Sequence, residues 1–261
     1  MASLFLRDKP LGLFKGVLFD KDGTLTSSEN SLLQLANLRV VEAIKQLGKH
    51  IESETKLKKL EIFLQKIYGI EYGRISPNGC IAIASRDHNL ISTATILTLL
   101  DLNWAEALFR ANNIFLEVDK ILIKQAESEK LKRPLLPGAL RLLKELKGNN
   151  VKCALISNDS KEGIENFIKE NNLNTIFQTF SSCEDYPAKP NPIAAKKLCE
   201  KINLNPSQCV LIGDAETDLK MSKEAKIELT LGFVGGWSTA PKLKAQQHLI
   251  YNWDELTTIK H

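Results

Sequence analysis

Two acids one residue apart, Asp20 and Asp22, sit in the segment Asp20-Lys21-Asp22-Gly23-Thr24, directly after the apolar run Gly16-Val17-Leu18-Phe19. The run reads as a buried strand, so the acids stand at its C-terminal mouth, where open α/β sheets bind ligands. Carboxylates this close repel each other, which calls for a cation between them. Mg²⁺ suits the place, because it takes hard oxygen ligands and is commonly held by one or two carboxylates plus phosphate oxygens. Gly23 lets the backbone leave the strand at a sharp angle. Thr24 adds a hydroxyl within reach of the same site. The plainer alternative is an acidic strand-end turn, since Asp and Gly are ordinary turn residues.

Three further pieces follow in order. A second strand-like run, 151–156, ends in Ser157-Asn158-Asp159, and a third, 209–212, ends in Gly213-Asp214 with Asp218 four positions on. Between them Lys189-Pro190-Asn191-Pro192 precedes a helical pattern. This order (D-x-D-G-T, a hydroxyl after a strand, Lys-Pro, G-D-x-x-x-D) resembles the four motifs of the haloacid dehalogenase superfamily of phosphatases, from about Gly16 to about Gly236. The Lys-Pro-x-Pro form and a helical insertion make it look like the phosphoglycolate phosphatase and β-phosphoglucomutase branch.

The resemblance implies a role for each position. Asp20 is the expected nucleophile, forming an aspartyl-phosphate, and Asp22 the general acid and base. Relatives with dehalogenase or phosphonatase chemistry typically lack this second Asp, which favours phosphatase or phosphomutase. Ser157, with the Asn158 backbone N–H, and Thr24 are expected at the phosphate. Lys189 is expected to neutralise charge on the phosphoryl group and the nucleophile. Asp214 is the expected Mg²⁺ ligand beside the Asp20 carboxylate and the Asp22 carbonyl. Asp218, one helical turn later, binds the metal through water or orients Lys189; Glu216 ranks below it. Arg86, in a loop spanning residues 73–89, is expected to grip a carboxylate or second phosphate, with His88 a weaker candidate.

Elements of two kinds must position these groups. Between Thr26 and Pro134 strand signals stop, and 3.6-residue stripes take over: Leu33, Ala36, Val40, Ile44 and Leu47, then Leu57, Leu60, Leu64 and Ile67, then Trp104 through Leu122. A shorter helix is expected over 90–100, with Asp87 or Ser85 as N-cap. These helices read as a bundle inserted over 28–133. From Pro134 onward helices and strands alternate, the mark of a parallel sheet covered on both faces. The pattern closes with a short strand and helix around 249–259. The expected fold is thus α/β: a doubly wound, Rossmann-like parallel sheet over 1–27 and 134–261, with an inserted α-helical bundle. The resemblance implies the same arrangement, with the bundle a cap hinged over the site.

At 261 residues, 43% hydrophobic and 25% charged, the chain has an ordinary globular composition. Its net charge of +4 comes from lysines spread along helices, which gives no ground for a nucleic-acid partner and mildly favours anionic metabolites. Five cysteines without a C-x-x-C pair point to a reduced, cytoplasmic chain. Uncharged runs such as 88–100 are too short to span a membrane, so none is expected as a partner. The leading expectation is a Mg²⁺-dependent phosphomonoesterase acting on a small phosphorylated metabolite, with 2-phosphoglycolate the first guess. A phosphomutase is the nearest alternative, and a non-catalytic binding module a second.

Overall fold

Gly16–Phe19 is buried at all four positions, as a strand covered on both faces requires. The computed structural model describes residues 1–49, 53–129 and 133–261; residues 50–52 and 130–132, part of the expected insertion, lie outside it. Two compact units account for the chain, Met1–Ser28 with Arg133–His261, and Glu29–Lys132. The first begins with strands β1 (Ala2–Leu6), β2 (Lys9–Phe14) and β3 (Gly16–Phe19).

The helical unit comprises α1 (Glu29–Leu47), α2 (Glu54–Tyr68), the hairpin β4 (Ile70–Glu71) and β5 (Arg74–Ile75), the single turn α3 (Cys80–Ile83), α4 (Arg86–Thr98) and α5 (Trp104–Glu129). Its core is built from the expected stripes, including Ala36, Val40 and Leu47, then Leu60 and Leu64, then Ala111, Phe115 and Val118. Ser85 rather than Asp87 caps α4, accepting from the His88 backbone N–H. The hairpin was not expected. Its strands are two residues each, too short for periodicity, and Tyr72 and Gly73 turn them with φ of 50° and 75°. Among the described residues, no helix is long and apolar enough to cross a membrane.

The chain returns to the first unit beside its point of departure: Thr26 Oγ1 donates to the Pro134 carbonyl at 2.7 Å, and the Leu136 N–H to the Leu25 carbonyl at 2.8 Å. There follow α6 (Ala139–Gly148), β6 (Lys152–Ile156), α7 (Lys161–Glu170), β7 (Phe177–Ser181), α8 (Pro192–Lys201), β8 (Cys209–Gly213), α9 (Glu216–Glu224), β9 (Leu229–Phe233), β10 (His248–Ile250) and β11 (Leu256–Lys260). Ser160 caps α7, and Asn191 caps α8 with Pro192 inside its first turn. A six-stranded parallel sheet runs β10-β9-β8-β3-β6-β7. Apolar clusters pack on both faces, Phe19, Leu143, Phe167 and Trp253 in one and Leu18, Leu198, Leu211 and Met221 in the other.

The close of the chain departs from the expected strand and helix. The closing segment holds no α-helix; a 3₁₀ turn, Trp253–Glu255, leads into β11, which pairs antiparallel with β1 in a separate sheet, β11-β1-β2. That partner lies at the other end of the sequence, so local periodicity carries no sign of it. The five cysteines are free thiols.

Candidate active site

Strand order delivers the chemistry. In the sheet, β3 lies between β8 and β6, with Phe19 paired to Ile212 on one side and Leu155 on the other. The C-terminal ends of these three neighbours therefore present Asp20, Asp214 and Ser157 together. Asp20 is anchored by its N–H, which donates to the Ile212 carbonyl at 2.9 Å. Lys189, from the loop before α8, places Nζ 2.7 Å from Asp20 Oδ1 and 2.8 Å from Asp218 Oδ1, and also donates to the Ile156 carbonyl at 3.4 Å. Asp218 stands in the first turn of α9.

Carboxylate oxygens of Asp20, Asp214 and Asp218 lie within 4.8 Å of one another, and all three residues are buried. Three acids thus converge with one ammonium, that of Lys189. Burial would lower the Lys189 pKa, but Asp20 and Asp218 outweigh it and hold the ammonium well above its usual range. Burial, compounded by Asp20 and Asp218, pushes the Asp214 carboxyl well above the ordinary carboxylate value. Burial pushes Asp218 up to about 6, against the pull of Lys189. Asp20 Oδ2 is buried with no hydrogen-bond partner. A surplus of buried hard oxygen donors around an orphaned carboxylate oxygen fits a divalent cation.

Asp214 is held from two sides. Trp237 Nε1 donates to its Oδ2 at 2.5 Å, and Thr24 Oγ1 to its Oδ1 at 3.2 Å. Gly23, at φ 77°, is required here, because a Cβ would strike both the Asp214 carboxylate and the Trp237 indole. Behind this loop Trp253, fully buried and stacked on Phe233 at 4.5 Å, donates its indole N–H to the Thr24 carbonyl at 3.2 Å.

Asp22 keeps 27% of its side chain exposed. Both of its oxygens are engaged: Ser28 Oγ donates to Oδ1, and Lys21 Nζ lies 2.5 Å from Oδ2. Lys21 has no exposed side-chain surface; it also pairs with Asp159 Oδ2 at 3.0 Å and lies 5.7 Å from the Phe167 ring centre. Burial would raise the Asp22 carboxyl, yet Lys21 and the Ser28 hydroxyl hold it below its ordinary value. Arg133 reaches the same Asp159 oxygen at 3.5 Å.

The structure brings together Asp20, Asp214, Asp218 and Lys189, with Asp22 and Ser157 on the flanking loops. Ser157 is buried, its Oγ accepting from the Asp159 N–H at 3.1 Å, and Asn158 follows it half-buried. Thr24, expected at the phosphate, is fully buried and spends its hydroxyl on Asp214 instead. Glu216 turns away, accepting from the Lys244 and Ala245 N–H groups. Arg86 and His88 lie in the helical unit, in the first turn of α4 and not in a loop, because Ser85 caps that helix within the span 73–89 where a loop was expected. Arg86 pairs with Asp119 at 2.6 Å, while His88 is exposed. Sequence reasoning missed Lys21, Ser28, Asp159 and Trp237. Only Lys21 left a signal, a lysine between two acids at a strand tip.

A family model described as haloacid dehalogenase-like hydrolase matches residues 14–226. The chain is 31% identical over 97 residues to a phosphoglycolate phosphatase from Psychrobacter arcticus, covering 37% of this chain and 42% of that one. It is 29% identical over 133 residues to a bifunctional riboflavin kinase/FMN phosphatase from Arabidopsis thaliana, covering 50% and 32%. The matches span less than half the length of these curated relatives. Among solved structures, a predicted phosphoglycolate phosphatase from Haemophilus somnus superposes with a TM-score of 0.64 at 19% identity, over 93% of this chain and 96% of that one. A β-phosphoglucomutase from Clostridium difficile gives 0.57 at 20% identity, over 93% of each. At such identities these likenesses speak for the fold. With the family model covering most of the sequence and the four motifs gathered at three adjacent strand ends, the chain belongs to the haloacid dehalogenase-like hydrolases.

Proposed function

We infer that the chain is a Mg²⁺-dependent phosphomonoesterase acting on a small phosphorylated metabolite, with 2-phosphoglycolate the first substrate to try. The observation that carries this reading is the state of Asp20. One carboxylate oxygen is fixed by Lys189, while the other is buried and unpartnered, as a nucleophile beside a cation needs. Asp20, Asp214 and the Asp22 carbonyl would hold the metal, with Asp218 supporting through water. When bound, the cation neutralises charge on the phosphoryl oxygens.

In the first half-reaction an Asp20 oxygen attacks phosphorus and the bond to the ester oxygen breaks. Its electron pair leaves with the alcohol oxygen, which takes a proton from Asp22. Lys189, Ser157 and the Asn158 N–H hold the phosphoryl oxygens. In the second half-reaction Asp22 takes a proton from water, whose oxygen displaces the Asp20 carboxylate from phosphorus. The Lys21 contact holds Asp22 in the ionised form that this second step uses. To serve as the acid, Asp22 must exchange that contact for a proton.

The helical insertion, 28–133, would act as a cap domain that recognises the substrate beyond its phosphate, with Arg86 and His88 the residues assigned from the sequence. The free thiols support a cytoplasmic setting. A panel of phosphate esters incubated with and without Mg²⁺, read by release of inorganic phosphate, tests the proposal and separates hydrolysis from phosphomutase chemistry. Absence of phosphate release across the panel would overturn it.

A further inference from the structure

Alternating charges run through four side chains beside the site. Asp22 meets Lys21 at 2.5 Å, Lys21 meets Asp159 at 3.0 Å, and Asp159 meets Arg133 at 3.5 Å. All four belong to the first compact unit, and the mechanism has no use yet for Asp159. Lys21 follows the tip of β3, and Asp159 lies in the loop after β6, the strand beside β3 in the sheet. Asp159 is itself fixed in place. Its N–H donates to Ser157 Oγ at 3.1 Å, its Oδ1 accepts the Ser160 N–H at 2.8 Å, and its carbonyl accepts the Cys183 N–H at 3.1 Å. The first turn of α7 leaves room for this carboxylate, because a Cβ on Gly163 would strike both of its oxygens. A glycine inside a helix is destabilising relative to alanine. Capping does not explain the arrangement, since Ser160 already accepts the Gly163 N–H as the N-cap of α7.

Lysine is a point charge on a flexible stem. One carboxylate sets the distance of its ammonium, and a second is needed to fix its place. Ser28 holds the other oxygen of Asp22, so a fixed Lys21 settles the orientation of that carboxylate. We propose that Asp159 is a positioning residue for hydrolysis of the aspartyl-phosphate. It pins Lys21, and through Lys21 it aims the Asp22 carboxylate that takes a proton from the attacking water. This deepens the phosphatase reading and rests on it. It also divides the reaction: Asp159 serves the second half, and the attack of Asp20 on phosphorus does not call on it.

The test uses the full chain with Mg²⁺, p-nitrophenyl phosphate as the probe, and Asp159→Asn, which removes the charge but keeps the volume and an oxygen for the Ser160 N–H. The p-nitrophenolate group leaves with little need of a proton, so kcat/KM reports formation of the phosphoenzyme and kcat reports its hydrolysis. A misplaced catalytic group costs about ten- to hundredfold. In Asp159→Asn kcat should fall by that factor and KM should fall with it, leaving kcat/KM within about twofold of wild type. Stopped-flow should show a burst of about one p-nitrophenolate per enzyme before the slow steady state. Lys21→Met should carry the same signature, and the double variant should be no slower than Lys21→Met, because both act through one contact. Asp159→Glu keeps the charge on a longer stem, so its kcat should fall between; it replaces Asp159→Asn if that variant does not fold. Equal loss in kcat and kcat/KM without a burst, or losses that add in the double variant, would make Asp159 a fold residue and overturn the proposal while the phosphatase reading stands. An unchanged kcat would do the same. If wild type releases phosphate from no ester, the phosphatase reading falls and takes this proposal with it.

Discussion

The ammonium of Lys21, without any exposed surface, lies 2.5 Å from the carboxylate of Asp22. The residue between the two motif acids is thus a fixed counter-charge. Replacing it as Lys21→Met leaves burial as the dominant influence on Asp22, so the carboxyl should rise. The step that uses the carboxylate form then fails at a higher pH than in wild type. The acidic limb of the pH–rate profile should move upward by about one unit. An unmoved limb would take Lys21 out of the chemistry.

Asp20→Asn should reduce turnover more than about a thousandfold, because it removes the nucleophile and a metal ligand while keeping the side-chain volume. Asp22→Asn should cost about a hundred- to ten-thousandfold. Its deficit should shrink on aryl phosphates, whose leaving groups need little protonation. Near-normal activity in Asp20→Asn would exclude the proposed nucleophile.

Metal binding should release protons. In the metal-free protein Asp214 and Asp218 sit above the ordinary carboxylate value, Asp218 at about 6. A cation must expel whatever protons they hold. Mg²⁺ affinity should therefore climb as pH rises from 5 to 7.5, and calorimetry in buffers of different ionisation heat should report the release. For these two groups the folded state binds protons more tightly than the unfolded chain. They should thus lower metal-free stability as pH rises from about 4 to about 6. Binding without proton release at pH 5 would contradict the assignment.

Trp237→Phe tests the support of Asp214. It deletes the indole N–H that donates to Oδ2 at 2.5 Å. Loss of such a partner typically weakens metal affinity about ten- to hundredfold. Turnover should return at high Mg²⁺. A less stable protein with an unaltered Mg²⁺ requirement would mark Trp237 as packing alone.

Much of the frame was legible because its signals are local. Alternating apolar runs marked the strands and placed Asp20, Ser157 and Asp214 at their tips. What stayed hidden depends on partners far along the chain. Lys21 stands between two acids in the sequence, but its burial becomes visible only when Asp159 arrives to share its charge. The glycine at 23 announces a sharp turn, but not that an indole from residue 237 will fill the space a Cβ would take. Arg39 stands beside Val40 of the first helical stripe without belonging to it, and only packing against Phe115 reveals that its charge is buried.

The Trp253–Thr24 contact also orders events in time. Its partners are 229 positions apart, so the loop carrying both motif acids cannot take its final form until the chain beyond β10 has been made and has folded back. Contacts of such separation form late, because the intervening chain must be closed first. A nascent chain halted before residue 253 should hold its helical unit folded while the amides of residues 20–26 still exchange freely with solvent. Pulsed hydrogen exchange during refolding should show protection at 24–26 arriving with that at 253–260. Early protection of the motif loop on its own would show that Trp253 only locks what has already formed.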